Sequence, residues 1–235
     1  MGYFSDAFVK AVELLVSFDP ELYGIIFLSL KVSAIAIIIS SFIAIPLGVI
    51  ISMGRFFGKK LVINIINTFM SIPPVVVGLV VYILLSNSMG IFHTIRLLFT
   101  PTAMIIAQVL LALPVVTGLT IVAVKSVYSR ISKTANSLGA SYIQLIWIVI
   151  KEARYAIGAA VITGFGRLMA EVGAVMMVGG NIRYKTRVMT TAIALQKGMG
   201  EFQLALALGI ILLATSFIIN IGLDYFRREK EVPYT

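Results

Sequence analysis

Two charged residues stand where charge is costly. Arg167 and Glu171 lie four residues apart in GFGRLMAEVGAVMMVGGN, an otherwise apolar stretch, so helical periodicity predicts them on one face, about one turn apart. A charge inside a hydrocarbon layer costs several kcal/mol unless it is paired or wetted. Two readings stay open: a locked ion pair holding helices together, or the lining or gate of a solute pathway. Gly164, Gly166 and Gly173 in the same stretch would let another helix or a second copy of the chain approach closely.

The other chemically pointed stretch is Ser126 to Arg154, SVYSRISKTANSLGASYIQLIWIVIKEAR, polar and set between two apolar runs. With Lys125 it holds five basic residues and one acid, and Gly139 is its lone glycine. Ile131, Ala135 and Leu138 fall at helical spacing before that glycine, and Leu145, Ile148 and Val149 after it. The pattern predicts two short helices hinged at Gly139 that present a knob to a partner. A basic loop that merely obeys membrane topology is the plainer reading.

Other chemistry is missing. There is no GxxxxGK[ST] phosphate loop, so the chain does not hydrolyse nucleotide by itself. There is no HExxH, and the single histidine, His93, has neither cysteine nor clustered carboxylates beside it, which makes it a poor metal ligand or nucleophile and an ordinary external-loop residue. Cysteine is absent, so disulfides, thiolate ligands and thiol redox chemistry are excluded. The sequence predicts no catalytic residue, no cofactor and no metal in this chain.

The elements that must position these residues are membrane helices. Of 235 residues 60% are hydrophobic and 12% charged, more apolar surface than one soluble core could hide. Five stretches are long enough to cross a bilayer, which takes about 20 apolar residues as helix: Tyr23 to Met53, Leu61 to Leu85, Ala103 to Val124, Ala153 to Val178 and Leu204 to Phe226. Pro73 and Pro74 in the second remove amide donors and bend it, either as a packing kink or as a gating hinge; Pro46 and Pro114 interrupt the first and third. The net charge of +9 reports topology and anionic lipid rather than nucleic acid. Arg55, Lys59, Lys60, Lys125, Arg130, Lys133, Lys151, Arg154, Arg227, Arg228 and Lys230 would lie on one side, eleven against the six of Lys10, Arg96, Arg183, Lys185, Arg187 and Lys197. The richer side is cytoplasmic, which puts the amino terminus outside and the carboxyl terminus inside.

The first twenty residues lack the pattern of a cleaved secretory signal. Phe4, Phe8, Val12 and Leu15 share a helical face, which predicts a helix lying in the membrane interface. On the external side Gly179, Gly180 and Asn181 predict a tight turn, and Thr186 to Lys197 a short surface helix. Arg183, Lys185 and Arg187 there would attract an anionic solute or an acidic protein face, or contact lipid headgroups.

The central interval resembles the coupling loop of permease subunits of ABC importers of the type I, MetI-like fold, written Glu-Ala-Ala, three residues, then Gly, with an Ile-x-Leu-Pro ending. Gly139 falls on the glycine, Thr134 and Ala135 on the alanines and Lys133 on the glutamate; the ending falls on Val149, Lys151 and Glu152. Gly166 to Asn181 is similar to the Arg-Ala-x-Gly-Glu-Phe-Gly-Ala…Gly-Asn stretch of molybdate and sulfate permeases. Arg167, Glu171, Gly173, Ala174, Gly180 and Asn181 match, and Ala170 and Val172 depart. EVGAVMMVGGNI followed by TRVMTTAI looks most like the tungstate permeases.

The resemblance implies an all-α membrane protein of five spans working as a homodimer, with two cytoplasmic ATPase subunits that bind ATP and magnesium and an external oxyanion-binding protein. It implies an interfacial segment over 1–20, the transmembrane domain over 21–228 with the coupling loop near 126–154, and a cytoplasmic tail over 229–235. Coupling to the ATPase would fall to Ile131, Ala135, Leu138, Gly139, Ala140 and Tyr142, and the pathway or gate to Arg167, Glu171, Gly173 and Asn181. The cargo would be tungstate, or else molybdate or sulfate. A secondary anion transporter or channel that needs no ATPase is the alternative of another class; it would more often show repeated halves or discontinuous helices.

Overall fold

A computed structural model describes residues 2–86 and 96–228 of the chain; His93 and the tail over 229–235 lie outside them. Nine helices make up the described residues: α1 (Gly2–Val16), α2 (Pro20–Met53), α3 (Lys59–Met70), α4 (Pro74–Leu85), α5 (Pro101–Ser137), α6 (Tyr142–Met169), α7 (Gly173–Gly179), α8 (Met189–Gly198) and α9 (Phe202–Arg228).

The expectation of five spans is corrected. Among the described residues three helices are long and apolar enough to cross a membrane: α2, α5 and α9. The second predicted span is two helices, α3 and α4, bent by 94°, because Pro73 and Pro74 withhold the amides that would continue the α3 ladder. The fourth predicted span starts earlier, at Tyr142, ends at Met169, and restarts as the short α7. With Lys151, Glu152, Arg154 and Arg167 along it, α6 has no full charge-poor window. Pro46 and Pro114, by contrast, sit inside α2 and α5 without ending either helix.

α2 and α5 form the central pair, packed through small residues and hydroxyls as membrane helices do. A Cβ on Gly48 would stand 2.7 Å from Thr120 Cβ. Ser40 Oγ donates to the carbonyls of Ala36 at 2.7 Å and Val109 at 3.3 Å, and Ser52 Oγ to that of Ile121 at 3.2 Å. The main core joins Val32, Ala36, Ile37, Met104, Val116, Leu168 and Val175 of α2, α5, α6 and α7. A second cluster closes one end of the bundle, where Met53 meets Val124, Leu145 and Val149; a third closes the other, where Leu22 and Ile25 meet Met189, Leu208 and Ile211. At the first end Lys59 Nζ donates to the carbonyls of Ser52 at 2.6 Å and Gly54 at 2.9 Å, a cation on the last turn of α2.

α4 and α7 touch backbone to backbone. A Cβ on Gly78 would lie 2.7 Å from Ala174 Cα and 3.1 Å from its carbonyl oxygen, whereas one on Gly209 of α9 would meet nothing within 4 Å. Gly78→Ala is therefore expected to cost about 1–3 kcal/mol through overpacking, read as a lower unfolding midpoint in detergent. Gly209→Ala, in open space, should leave the midpoint unchanged or raise it. In α1, Ala7 and Ala11 are buried, Ala11 in the cluster that holds α9, while Phe4, Phe8 and Val12 are exposed. Three residues of the apolar face read from the sequence thus point outward, while its fourth, Leu15, packs against that cluster.

Candidate functional site at the helix break and the elbow

The helix break begins with Arg167, in the last turn of α6. Its Nη1 donates to the carbonyl of Met70 at 2.9 Å. In an unbroken helix that carbonyl would accept from residue 74, and Pro74 has no N–H to give. Arg167 thus satisfies a backbone group that the double proline sets free, as a bend at membrane depth requires, and its side chain stays exposed.

Glu171 is not Arg167's partner. Because α6 ends at Met169, the two are not one turn apart on a common face, and no ion pair joins them among the described residues; the locked-pair reading is corrected. Glu171 Oε1 instead accepts the amide of Ala174 at 3.0 Å, at the start of α7, and its carbonyl accepts Thr190 Oγ at 2.8 Å. A carboxylate at a helix start is favourable, so Glu171 begins the helix that follows the break. A Cβ on Gly173 would meet Val75 Cγ2 at 2.5 Å, so this glycine sets the α4 contact. Gly164 likewise faces Ile37 and Val116 of the same chain, and Gly166 faces open space. Asn181 has φ of 51°, in the turn led by Gly180, and its Nδ2 donates to the carbonyl of Thr191 at 3.3 Å.

Sequence reasoning missed the polar groups behind the break. Gln108, 3% exposed, donates Nε2 to the carbonyl of Leu168 at 3.3 Å and keeps Oε1 unpartnered. With Ser29, Ser33, Glu171 and Thr190 it lines a cavity of about 10 Å³, room for about one water. Ser29 Oγ accepts the amide of Met189 at 2.9 Å, so α8 begins deep in the fold, its first turn buried. The expected surface helix is corrected on that point. A lone glutamine in an apolar run was the one available signal.

At the far end Arg183 grips Glu21 with two bonds, Nε at 3.0 Å and Nη2 at 2.6 Å, and Arg187 Nη1 adds a third at 3.1 Å. The carboxylate's hydrogen bond raises the already high Arg183 pKa further. Two of the loop's three cations are therefore spent on tying it to α2; of Arg183, Lys185 and Arg187, only Lys185 makes no ion pair with the described residues.

The elbow lies between α5 and α6. It is not a pair of short hinged helices: α5 runs 37 residues and α6 28, about 55 and 42 Å, against about 30 Å of hydrocarbon. Gly139 has φ of +74°, and Ala140 N–H reaches back to the Ala135 carbonyl at 3.0 Å, a Schellman closure that favours glycine. Ser141 and Gln144 then exchange side-chain and backbone bonds at 3.4 and 2.8 Å, a capping box that starts α6. Ala135 is buried and Ile131 and Ala140 pack against the same cluster, whereas Leu138 is 82% and Tyr142 60% exposed. Ile143 and Trp147, 69% and 71% exposed, extend this apolar tip.

The chain matches the family described as binding-protein-dependent transport system inner membrane component over residues 44–232. It is 47% identical over 220 residues to the tungstate uptake system permease protein TupB of Peptoclostridium acidaminophilum, covering 94% of this chain and 96% of that one. It is 40% identical over 204 residues to a probable anion ABC transporter permease protein of Haloferax volcanii, covering 85% and 88%. Among solved structures it resembles a bacterial alginate ABC transporter in complex with an alginate pentasaccharide-bound periplasmic protein. There the TM-score is 0.73 at 19% identity, over 92% of this chain and 82% of that one.

Proposed function

Since the chain belongs to the family of binding-protein-dependent transport system inner membrane components, we propose that it is the permease of an ATP-driven importer of a tetrahedral oxyanion, with tungstate as the first candidate. Two copies would form the pathway, two ATPase subunits holding ATP and magnesium would dock on the elbows, and an external binding protein would deliver the anion. The elbows face the cytoplasm in this reading, since the basic majority lies at that end, and the amino terminus lies outside.

The observation that carries it is the projecting elbow, with Leu138, Tyr142 and Trp147 exposed on a capped turn. Apolar side chains held outward at the end of two long helices fit a protein partner in the aqueous phase. A push there reaches the membrane through α6, about 38 Å from Tyr142 to Arg167, and Arg167 passes it to the α3–α4 bend through the Met70 carbonyl. ATP shifts the equilibrium because the partner contacts the two states differently. Tungstate itself rests on the 47% identical relative; molybdate and sulfate share its charge and shape.

The test is reconstitution in vesicles with the ATPase and binding protein. Uptake of labelled tungstate should need all three parts and ATP, and competition among tungstate, molybdate and sulfate ranks the anions. Uptake by the chain alone would sink the proposal in favour of a secondary transporter or channel.

A further inference from the structure

α3 has no buried residue, although it is half of a pair long and apolar enough to cross a membrane. Its faces are nonetheless distinct. Met70 and Ile66 press on Gly118 of α5. Lys60, Asn64, Asn67 and Ser71 recur at intervals of four, three and four residues, the spacing of a single helical face, with Thr68 beside them. Asn64, Asn67, Thr68 and Ser71 line an open groove of about 720 Å³ that ends on Ile72 and Pro73 at the bend.

Exposed amides at this depth are expensive against lipid, so water or a solute must face them. The groove has no carboxylate on its wall. Thr68 Oγ donates to the carbonyl of Asn64 at 2.9 Å, but the side chains of Asn64, Asn67 and Ser71 make no hydrogen bond to the other described residues. Lys60 begins the face at the elbow end, and one residue short of Ser71 the Met70 carbonyl holds Arg167. From Lys60 to Ser71 the row climbs about 16 Å, half the hydrocarbon layer. Neutral donors suit the passage of a dianion, because they replace hydration bonds without the deep well that a row of fixed cations would make.

We propose that the Asn64–Asn67–Ser71 face of α3, with Lys60 at its mouth, is the anion-conducting wall of the inner half of the pathway and reads its cargo through neutral hydrogen-bond donors. This rests on the transport reading above and adds the residues that carry the oxyanion. The amide NH₂ groups and the hydroxyl donate to successive oxyanion oxygens, and Lys60 sets the sign of the charge admitted.

The experiment uses the complete reconstituted complex and labelled tungstate, with Asn64→Leu/Asn67→Leu and the conservative Asn64→Gln/Asn67→Gln. Losing two donors to a passing anion should lower the number of anions moved per ATP by about tenfold or more. The Gln pair should recover most of it, while both variants still cross-link as dimers. An unchanged ratio in the Leu pair, with the unmodified complex active, overturns the wall and leaves the importer standing. Failure of the Leu pair to dimerise, with the Gln pair intact, also overturns it and makes the stripe a seam between copies. If the unmodified complex moves none of the three oxyanions, the transport reading itself falls.

Discussion

A Gly139→Asp chain is expected to insert and dimerise normally yet lose ATP hydrolysis coupled to transport, by about a hundredfold or more in the assembled complex. The separation follows from the surroundings of this glycine. A Cβ there meets nothing within 4 Å, so within the chain the change costs only the αL backbone, about 1 kcal/mol, and Asp is among the residues that tolerate that conformation best. The two helices that meet at the turn are secured elsewhere, by the Ala135–Leu145–Val149 cluster and the Ser141–Gln144 caps. What changes is the exposed surface: in the proposed docking of an ATPase on the apolar tip, a carboxylate between Leu138 and Tyr142 would have to be desolvated. Gly139→Asn, which keeps the shape without the charge, should retain a substantial part of the coupled rate. The measurement is binding-protein-stimulated ATP turnover beside a dimer assay. Normal stimulated turnover in Gly139→Asp removes the elbow from the mechanism.

The parts of this molecule that could be read from its sequence are those decided locally. The apolar runs of α2 and α5 outlast any local interruption, and adjacent prolines announce the α3–α4 bend because the missing amides are a property of the chain itself. The break after Met169 was not legible. No proline stands there; the helix stops where the Glu171 carboxylate and Thr190 take over backbone groups, and Thr190 arrives from nineteen residues further on. Arg167 and Glu171 were rightly singled out as costly, but their separation by four implied a pairing that holds only in continuous helix. The Arg183 and Arg187 clamp on Glu21 was hidden for a similar reason, since its carboxylate lies more than 160 residues away. On α3 the failure was one of averaging: a hydropathy window merges a polar face with its apolar neighbours. At the elbow the resemblance pointed to Tyr142, but Ile143 and Trp147 beside it, exposed as well, carry no motif that would have singled them out.

Arg167→Met carries the second large expected effect and separates two duties of one side chain. Its guanidinium satisfies the Met70 carbonyl at 2.9 Å; without it that carbonyl keeps no strong donor, a loss of about 1–3 kcal/mol where water is scarce. That alone would lower the unfolding midpoint by a modest amount and leave the rate of an assembled transporter within a small factor. If Arg167 also links the α6 stroke to the bend and presents its remaining N–H groups to the anion, uptake should fall by about tenfold to a hundredfold even at temperatures where the variant is fully folded. Arg167→Lys distinguishes the two contributions: an ammonium can still reach the carbonyl, but it lacks the planar fork that holds a carbonyl and an oxyanion together. Stability should therefore recover with Lys more completely than uptake does. The pair of measurements is a thermal midpoint in detergent and initial uptake of labelled tungstate in vesicles, taken on the same preparations. Recovery of both in parallel would reduce Arg167 to a cap for the bend, and uptake by Arg167→Met at the unmodified rate would take it out of the pathway.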